Sequence, residues 1–265
     1  MAVTLAPSSS PTSPAPHPLG EGEAPFDWSL WELDEEEDMG HSPEHHRIMS
    51  EVESILKEWV TERGWTDAFV CSDTFFAWVP ERPNVRVSPD AYLLWGAPRP
   101  LPASWQTWRA GHPPPAFALE VVSEDRIKEY AVNPAKYDAL GATELVIYDP
   151  EGVGAKASGP ITHYRRGDHG RLELATSNAT LTYSHVLEAW LLEVMGPEGP
   201  SLRLSRDPQG RSLVPTSTER ADFMAADAEN QRAEKEKERA LRLALEAESA
   251  ALRAELARVL SSKGP

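Results

Sequence analysis

The sequence lacks the features that mark an extracellular or membrane protein. It contains one cysteine, Cys71, so a framework of intrachain disulfides is excluded. Its first residues lack the basic and apolar segments of a secretory signal, and no apolar run approaches the length of a membrane span. From these absences we expect a soluble protein of the reducing cytoplasm with no membrane partner.

Basic residues are scarce, and they are unevenly distributed. Residues 1–44 contribute -10 of the net charge of -16, because they hold ten acids and no Lys or Arg. Residues 45–218 hold 22 acids and 17 bases, and the remaining segment contributes -1. The central region therefore lacks the broad basic surface that strong non-specific DNA binding requires. This charge distribution argues against a tight, constitutive nucleic-acid binder.

Composition divides the chain into three regions. Residues 1–41 begin Pro- and Ser-rich and end in an acidic run, which predicts a disordered tail. Within this tail, the Trp- and Leu-containing stretch around Trp28 and Trp31 is interpreted either as a short docking segment or as a solvated acidic linker. Residues 42–218 alternate strand and helix patterns, which predicts an α/β domain.

Residues 219–265 predict a charged C-terminal helix rich in Ala, Glu and Arg. Apolar positions in this helix step by four and three residues, as in a coiled coil. The positions of this seam are Leu245, Ser249, Leu252, Leu256 and Val259. Because the seam is short and includes a serine, it is compatible with a homodimer or with a helical partner.

Local patterns predict the order of the elements in the α/β domain. Ser42 and Pro43 favour a helix start, and Gly64 favours its end. Residues 117–122 and 144–148 read as strands joined by a helix, which predicts a parallel βαβ unit. Three further predictions are a hairpin over residues 159–183, an amphipathic helix over residues 184–196 and a hairpin over residues 201–214.

One predicted strand, "FALEVVS" at residues 117–123, carries a carboxylate among apolar side chains. Burying Glu120 costs several kcal/mol unless it is paired. Asp90 begins another predicted strand, and the helix after Glu120 carries Lys128 and Lys136. Two carboxylates from adjacent strands with a nearby backbone carbonyl form an oxygen site suited to Mg²⁺, which would also compensate Glu120. A lysine beside such a metal can orient or activate water.

Several short motifs in a fixed order resemble a known family. In chain order they are "SPEHH", "SPD", "LEVVS", "AKYDALG" and "ELVIYDP". This series resembles the Uma-two family of restriction endonuclease-like proteins, a branch of the PD-(D/E)XK nuclease superfamily, over roughly residues 42–215. The resemblance implies a mixed β-sheet flanked by helices and Mg²⁺-dependent hydrolysis of DNA phosphodiesters, with Mn²⁺ as a substitute. It also implies Asp90 and Glu120 as metal ligands, with the Val121 carbonyl as a third.

The chain departs from the family pattern at the catalytic lysine. The superfamily often has a lysine two residues after the acid, where this chain has Val122. In the Uma-two branch the lysine usually stands four residues before the tyrosine, where this chain has Asn133, and Glu129 matches the preceding acid. Lys128 and Lys136 are therefore candidates from neighbouring turns rather than from the family register.

Simpler interpretations stay open beside the catalytic one. Glu120 could be satisfied by an arginine or by backbone donors, and Asp90 could be a turn residue. His41, His45 and His46 fit capping and surface roles, although His45 would reach the site if the first helix packs beside it. Glu51 is a comparably weak acidic candidate. The second functional hypothesis is a catalytically degraded nuclease fold that acts as an interaction module through its tails.

Overall fold

The computed structural model describes residues 28, 31–32, 42–98, 100–102, 104–122, 128–151 and 159–261. These residues form two compact units, the first ending at Thr216 and the second beginning at Ser217. The disordered tail predicted for residues 1–41 lies outside the described residues, apart from Trp28, Trp31 and Glu32. Glu32 forms an antiparallel bridge with Val85, so this short part docks on the domain.

The first unit contains two α-helices, one π-helical turn and twelve strands among its described residues. In chain order they are α1 Pro43–Arg63, β1 Ala68–Cys71, β2 Phe76–Ala77, β3 Arg86–Val87, β4 Ala91–Trp95, β5 Trp105–Gln106, β6 Phe117–Val121, the π-helical turn Lys128–Val132, α2 Asn133–Leu140, β7 Glu144–Tyr148, β8 Ile161–Arg166, β9 Leu172–Ala179, β10 Leu181–Ser184, β11 Ala189–Gly196 and β12 Gly199–Ser205.

A mixed six-stranded sheet carries the fold, in the order β1-β4-β6-β7-β8-β9. Strands β6 and β7 are parallel, and the other neighbours in this sheet are antiparallel. The connection between β6 and β7 contains the π-helical turn and α2, which confirms the predicted βαβ unit. Two smaller sheets accompany it, in the orders β10-β11-β12 and β3-β2-β5. The predicted class, a mixed α/β sheet with flanking helices, is confirmed.

Strand β6 is buried along its whole length because both faces of the sheet are covered. Its side chains alternate between two hydrophobic cores. Phe117, Leu119 and Val121 join the core that contains α1, whereas Ala118 joins the core that contains α2. Glu120 follows the Ala118 alternation, and it therefore points to the side of the sheet on which α2 lies.

Helix α1 begins and ends as its sequence predicts. The Ser42 hydroxyl accepts a hydrogen bond from the backbone N–H of His45 at 3.2 Å, and Pro43 occupies the first turn, where no N–H partner is needed. Gly64 ends the helix with φ of 66°, a left-handed conformation that glycine adopts at little cost. These caps fix the first turn, which carries His45.

The amphipathic helix predicted over residues 184–196 is wrong. The chain makes a turn there and continues as strand β11. Glu188 adopts φ of 51°, which stops a helix after one turn, and the following residues pair with β10 and β12. Ala189 and Leu191 alternate inward at the strand period, so long-range pairing outweighs the local helical pattern.

The two predicted hairpins have different outcomes. Strands β8 and β9 form the hairpin expected within residues 159–183. In residues 201–214, the chain after β12 returns only through an isolated bridge between Ser205 and Leu213. Strand β12 pairs along its length with β11 instead.

The second unit consists of α3, Ser217–Ser261, in agreement with the predicted charged helix. Its described side chains are exposed, apart from Arg220, which is partly buried. Across the described part of the chain, no helix combines the length and apolar character needed to cross a bilayer.

Removing the cap of α1 is expected to destabilise the first unit. Ser42→Ala leaves the His45 N–H without its side-chain acceptor, which costs about 1 kcal/mol of unfolding free energy. Ser50→Ala, an exposed position inside the same helix, is the matched control and should change stability by less than about 0.5 kcal/mol. Urea unfolding followed by circular dichroism measures both, and equal effects would contradict the capping role.

Candidate functional site

Asp90 and Glu120 lie close together at neighbouring strands. Ala91 of β4 pairs with Leu119 of β6, and Asp90, one residue before β4, donates its N–H to the Leu119 carbonyl at 3.0 Å. The charge of Asp90 acts on Glu120, so the two carboxylates are within electrostatic reach of each other. Asp90 is 5% exposed and Glu120 is 6% exposed, so both carboxylates are buried.

Both oxygens of the Asp90 carboxylate are engaged. Oδ2 accepts a hydrogen bond from the backbone N–H of Val121 at 2.6 Å. Oδ1 lies 3.0 Å from Nε2 of His45, which reaches it from the first turn of α1. The side chain is therefore fixed by the next strand and by a helix distant in sequence, which is the arrangement a preorganised site requires.

Glu120 is oriented by a tyrosine on α2. The Tyr137 hydroxyl donates to Oε1 of Glu120 at 2.5 Å, and both side chains are buried. The π-helical turn before α2 adds a third buried carboxylate, Glu129, whose Oε2 accepts from Nδ2 of Asn133 at 2.8 Å. Because residues four apart share a helix face, the positions 129, 133 and 137 approach the sheet together.

The ionised forms of Glu120 and Glu129 are destabilised by their surroundings. Burial, followed by the charges of Glu129 and Asp90, raises the pKa of Glu120 well above its ordinary value. Burial, followed by the charge of Asp90, raises the pKa of Glu129 to about 7. The Lys128 ammonium opposes both shifts without cancelling them. Three carboxylates thus crowd a buried site, and a further cation there would relieve the repulsion between them.

The two groups that orient the carboxylates both have raised pKa values. Burial lowers the pKa of His45, but the hydrogen bond to Asp90 and the charge of Asp90 outweigh burial, so the pKa is raised overall. Burial and the Glu120 carboxylate raise the pKa of the Tyr137 hydroxyl well above its usual range. Tyr137 therefore keeps its proton at neutral pH and donates it to Glu120.

Some of the remaining predicted residues lie at the site and others lie elsewhere. Lys128 lies close enough for its charge to act on Glu120 and Glu129. Lys136 is buried on α2, 3% exposed. Glu51 forms ion pairs with Arg47 at 3.1 Å and with Arg203 at 4.0 Å, which places it in a different cluster. Of the three weak candidates, the structure thus brings His45 and Glu129 to the site.

Two further residues belong to the site although sequence reasoning assigned them no part in it. Tyr137 and Asn133 contact Glu120 and Glu129, respectively. The signal available was their spacing of four from each other and from Glu129 on one predicted helix. That spacing places the three side chains on one face of the helix. It does not show which strand this face contacts, because that depends on the βαβ crossover.

The donor set fits a hard divalent cation. Among the residues that the structure describes, no three His, Cys, Asp or Glu side chains are arranged to hold a metal alone. Mg²⁺ commonly takes one or two protein carboxylates and completes its shell with water and phosphate oxygens, so such a set is sufficient. The residues suited to hold it are Asp90, Glu120 and the backbone carbonyl of Val121, which all offer oxygen and favour Mg²⁺ or Mn²⁺ over softer metals.

Comparison with known proteins identifies the family. The Uma2 family model, described as putative restriction endonuclease, matches residues 32–195. The chain therefore belongs to the Uma2 family, and the resemblance drawn from its motifs is confirmed. Family membership places it among putative nucleases.

One solved structure that resembles the chain is a putative nuclease of the DUF820 group from Anabaena variabilis. It is 14% identical in sequence, with a TM-score of 0.40 over 57% of this chain and 76% of that chain. No curated protein matches the sequence significantly.

The raised pKa of Glu129 predicts that metal-free protein loses stability as the pH rises. The folded state binds this proton more tightly than the unfolded state, whose pKa lies near 4.5, so the stabilisation is complete below pH 4.5 and disappears as the pH passes 7. This amounts to on the order of 3 kcal/mol. In EDTA, Glu129→Gln should show a shallower decline in unfolding free energy between pH 5 and pH 7.5.

Glu129→Gln retains an oxygen that can accept from Asn133, so the comparison isolates the ionisation. Glu173→Gln, at an exposed position on β9, is the control and should keep the wild-type slope. Urea unfolding measured at each pH provides the free energies. Equal slopes for wild type and Glu129→Gln would contradict the electrostatic description of the site.

Proposed function

We propose that the site around Asp90 and Glu120 binds Mg²⁺ and hydrolyses DNA phosphodiester bonds, with Mn²⁺ as a substitute. The observation that carries this proposal is the buried pair of neighbouring carboxylates, Asp90 and Glu120, crowded by Glu129. Membership of a family of putative restriction endonucleases supports the reaction class.

The protein side chains supply position and charge. Mg²⁺ bound there would stabilise the negative charge that develops on the phosphate during hydrolysis. The Tyr137 hydroxyl donates to Oε1 of Glu120 and so fixes the orientation of this carboxylate. Asp90 is held by His45 and by the Val121 N–H, which makes His45 and Tyr137 positioning residues. Rigid support of this kind limits the reorganisation needed as charge develops.

Lys128 is the lysine that we assign to the reaction. Its charge acts on both Glu120 and Glu129, so its ammonium lies within electrostatic reach of the acidic cluster. An ammonium in that position can orient a water molecule or stabilise the departing oxygen. Asn133, at the family's lysine position, donates to Glu129 and supplies no charge. Lys136 is the alternative lysine, because it is buried on the helix that carries Tyr137.

The acidic composition constrains how DNA would be held. The central region contributes -5 to the net charge, so little non-specific attraction to phosphate is available. A bound divalent cation would reduce the repulsion between the three carboxylates and a phosphate. We therefore infer that DNA engagement depends on the metal and on local contacts.

The alternative function is an interaction module on a degraded nuclease fold. Val122 stands where the nuclease superfamily often has a lysine, and Asn133 stands where the Uma-two branch usually has one; both departures favour the alternative. A protein of this kind would retain the acidic cluster without cleaving DNA. Metal binding together with an absence of cleavage would distinguish it from the enzyme.

Cleavage of supercoiled plasmid tests the proposed function. The purified protein should nick the plasmid in Mg²⁺ or Mn²⁺ and stop in EDTA. Glu120→Gln keeps an acceptor for Tyr137 but removes the anionic ligand, and it should reduce the rate at least about a hundredfold. The control variant Glu173→Gln carries the same substitution at an exposed position, and it should cleave the plasmid like wild type.

Binding of the metal provides a second readout in the same variants. Calorimetric titration with Mn²⁺ should show binding to wild type that is lost in Asp90→Asn and Glu120→Gln. Cleavage that persists in Glu120→Gln, or that needs no metal, would sink the proposed mechanism.

The two lysines are separated by matched substitutions. Lys128→Met should lower the cleavage rate by about 10²–10⁴ without abolishing Mn²⁺ binding, as removal of a proton-transfer or charge-stabilising group does. Lys57→Met, exposed on α1, is the control and should have no effect. A full loss in Lys136→Met with normal activity in Lys128→Met would reverse the assignment, provided that circular dichroism shows both variants folded.

A further inference from the structure

Helix α3 exposes a row of leucines along one side. Leu241, Leu245, Leu252 and Leu256 are 63%, 56%, 59% and 61% exposed. Their spacings of four, seven and four residues align them in one stripe rather than scattering them around the helix. An apolar stripe of this kind on an exposed helix marks a candidate interaction surface.

The stripe fits a heptad register in which Leu245 and Leu252 occupy d positions, and Ser249 and Leu256 occupy a positions. Extending this register toward the start of α3 places Met224, Gln231 and Glu238 at d, and Lys235 and Arg242 at a. The continuous apolar part of the seam therefore begins at Leu245. Polar or charged residues at a reduce the stability of a coiled coil but fix its register and its number of strands.

The charges beside the seam select both the partner and its direction. The g positions of three heptads are acidic, and the e positions that follow five residues later are arginines. These pairs are Asp227–Arg232, Glu234–Arg239 and Glu248–Arg253. In a parallel, in-register dimer each g residue faces the e residue of the next heptad in the other chain, so all three contacts join opposite charges.

The other arrangement of two copies is electrostatically unfavourable. Antiparallel helices bring g beside g and e beside e, which would oppose acids to acids and arginines to arginines along the same three heptads. The other g–e combinations of this register do not join opposite charges; they are Arg220–Ala225, Leu241–Glu246 and Glu255–Leu260. Glu246 is paired with Arg242 of its own helix at 3.0 Å. In the three matched heptads, the charges beside the seam therefore complement each other in the parallel orientation.

We propose that α3 forms a parallel, in-register, two-stranded coiled coil with a second copy of this chain. The apolar contact consists of Leu245, Leu252 and Leu256 with Ser249 between them, and the g–e pairs set the alignment. The proposal is independent of the nuclease function, because it uses only residues of the second unit.

The oligomeric state of the full chain tests the seam. Analytical ultracentrifugation over a concentration series should give a species of twice the 29.3 kDa chain mass. Leu245→Ala combined with Leu252→Ala should weaken dimerisation at least about a hundredfold. Leu243→Ala, equally exposed at 56% but on the opposite side of the helix, should leave it unchanged. A monomer at all concentrations, or equal effects of the two changes, would overturn the proposal.

Charge exchange tests self-complementarity without removing apolar contacts. A variant with Arg232→Glu, Arg239→Glu and Arg253→Glu should be monomeric, as should one with Asp227→Lys, Glu234→Lys and Glu248→Lys. Mixed together, they should form a heterodimer, which a folding defect would not produce. Failure of the mixture to associate would contradict the g–e assignment.

Cross-linking tests direction, in a Cys71→Ala background. Ala228→Cys occupies an a position near the start of the seam, where only a parallel, in-register dimer brings the two copies together. It should oxidise to a disulfide-linked dimer at least about tenfold faster than Ala226→Cys, which faces outward. Equal rates for the two variants would exclude the parallel arrangement.

Discussion

The hydrogen bond from the Val121 N–H to the Asp90 carboxylate is the contact on which the site depends. It joins the end of β6 to the residue before β4, at 2.6 Å, and both residues are buried. The bond therefore fixes the aspartate beside the end of β6, next to Glu120. The candidate site is consequently built at the ends of two paired strands, with Asp90 one residue before β4.

That placement has an electrostatic cost. Three carboxylates share a dry volume, and the pKa shifts of Glu120 and Glu129 indicate that their partners do not compensate them fully. A core designed for stability alone would replace such a cluster with apolar side chains. Its retention, with His45, Tyr137 and Asn133 each orienting one carboxylate, is typical of a site in which function offsets lost stability.

The sequence predicted the parts of this site that depend on local pattern. Glu120 stands out because it interrupts an apolar strand, and Pro89 marks the strand start near Asp90. The role of His45 could not be derived in the same way, because it lies 45 residues before Asp90 and meets it only when α1 packs on the sheet. Strand β11 shows the same limit. Its apolar residues recur at helical spacing, yet the segment forms a strand because it pairs with β10 and β12.

The net negative charge of the α/β domain links the proposed nuclease site to the proposed coiled coil. A single α/β domain with a mildly acidic composition gains little from general attraction to DNA. A coiled coil would place two such domains on one particle, so that contact by one raises the effective concentration of the other at the same molecule. Weak individual contacts then suffice, because the second is no longer a separate encounter. The leucine stripe and g–e charges of α3 would thus supply avidity that the acidic domain does not obtain from its own charge.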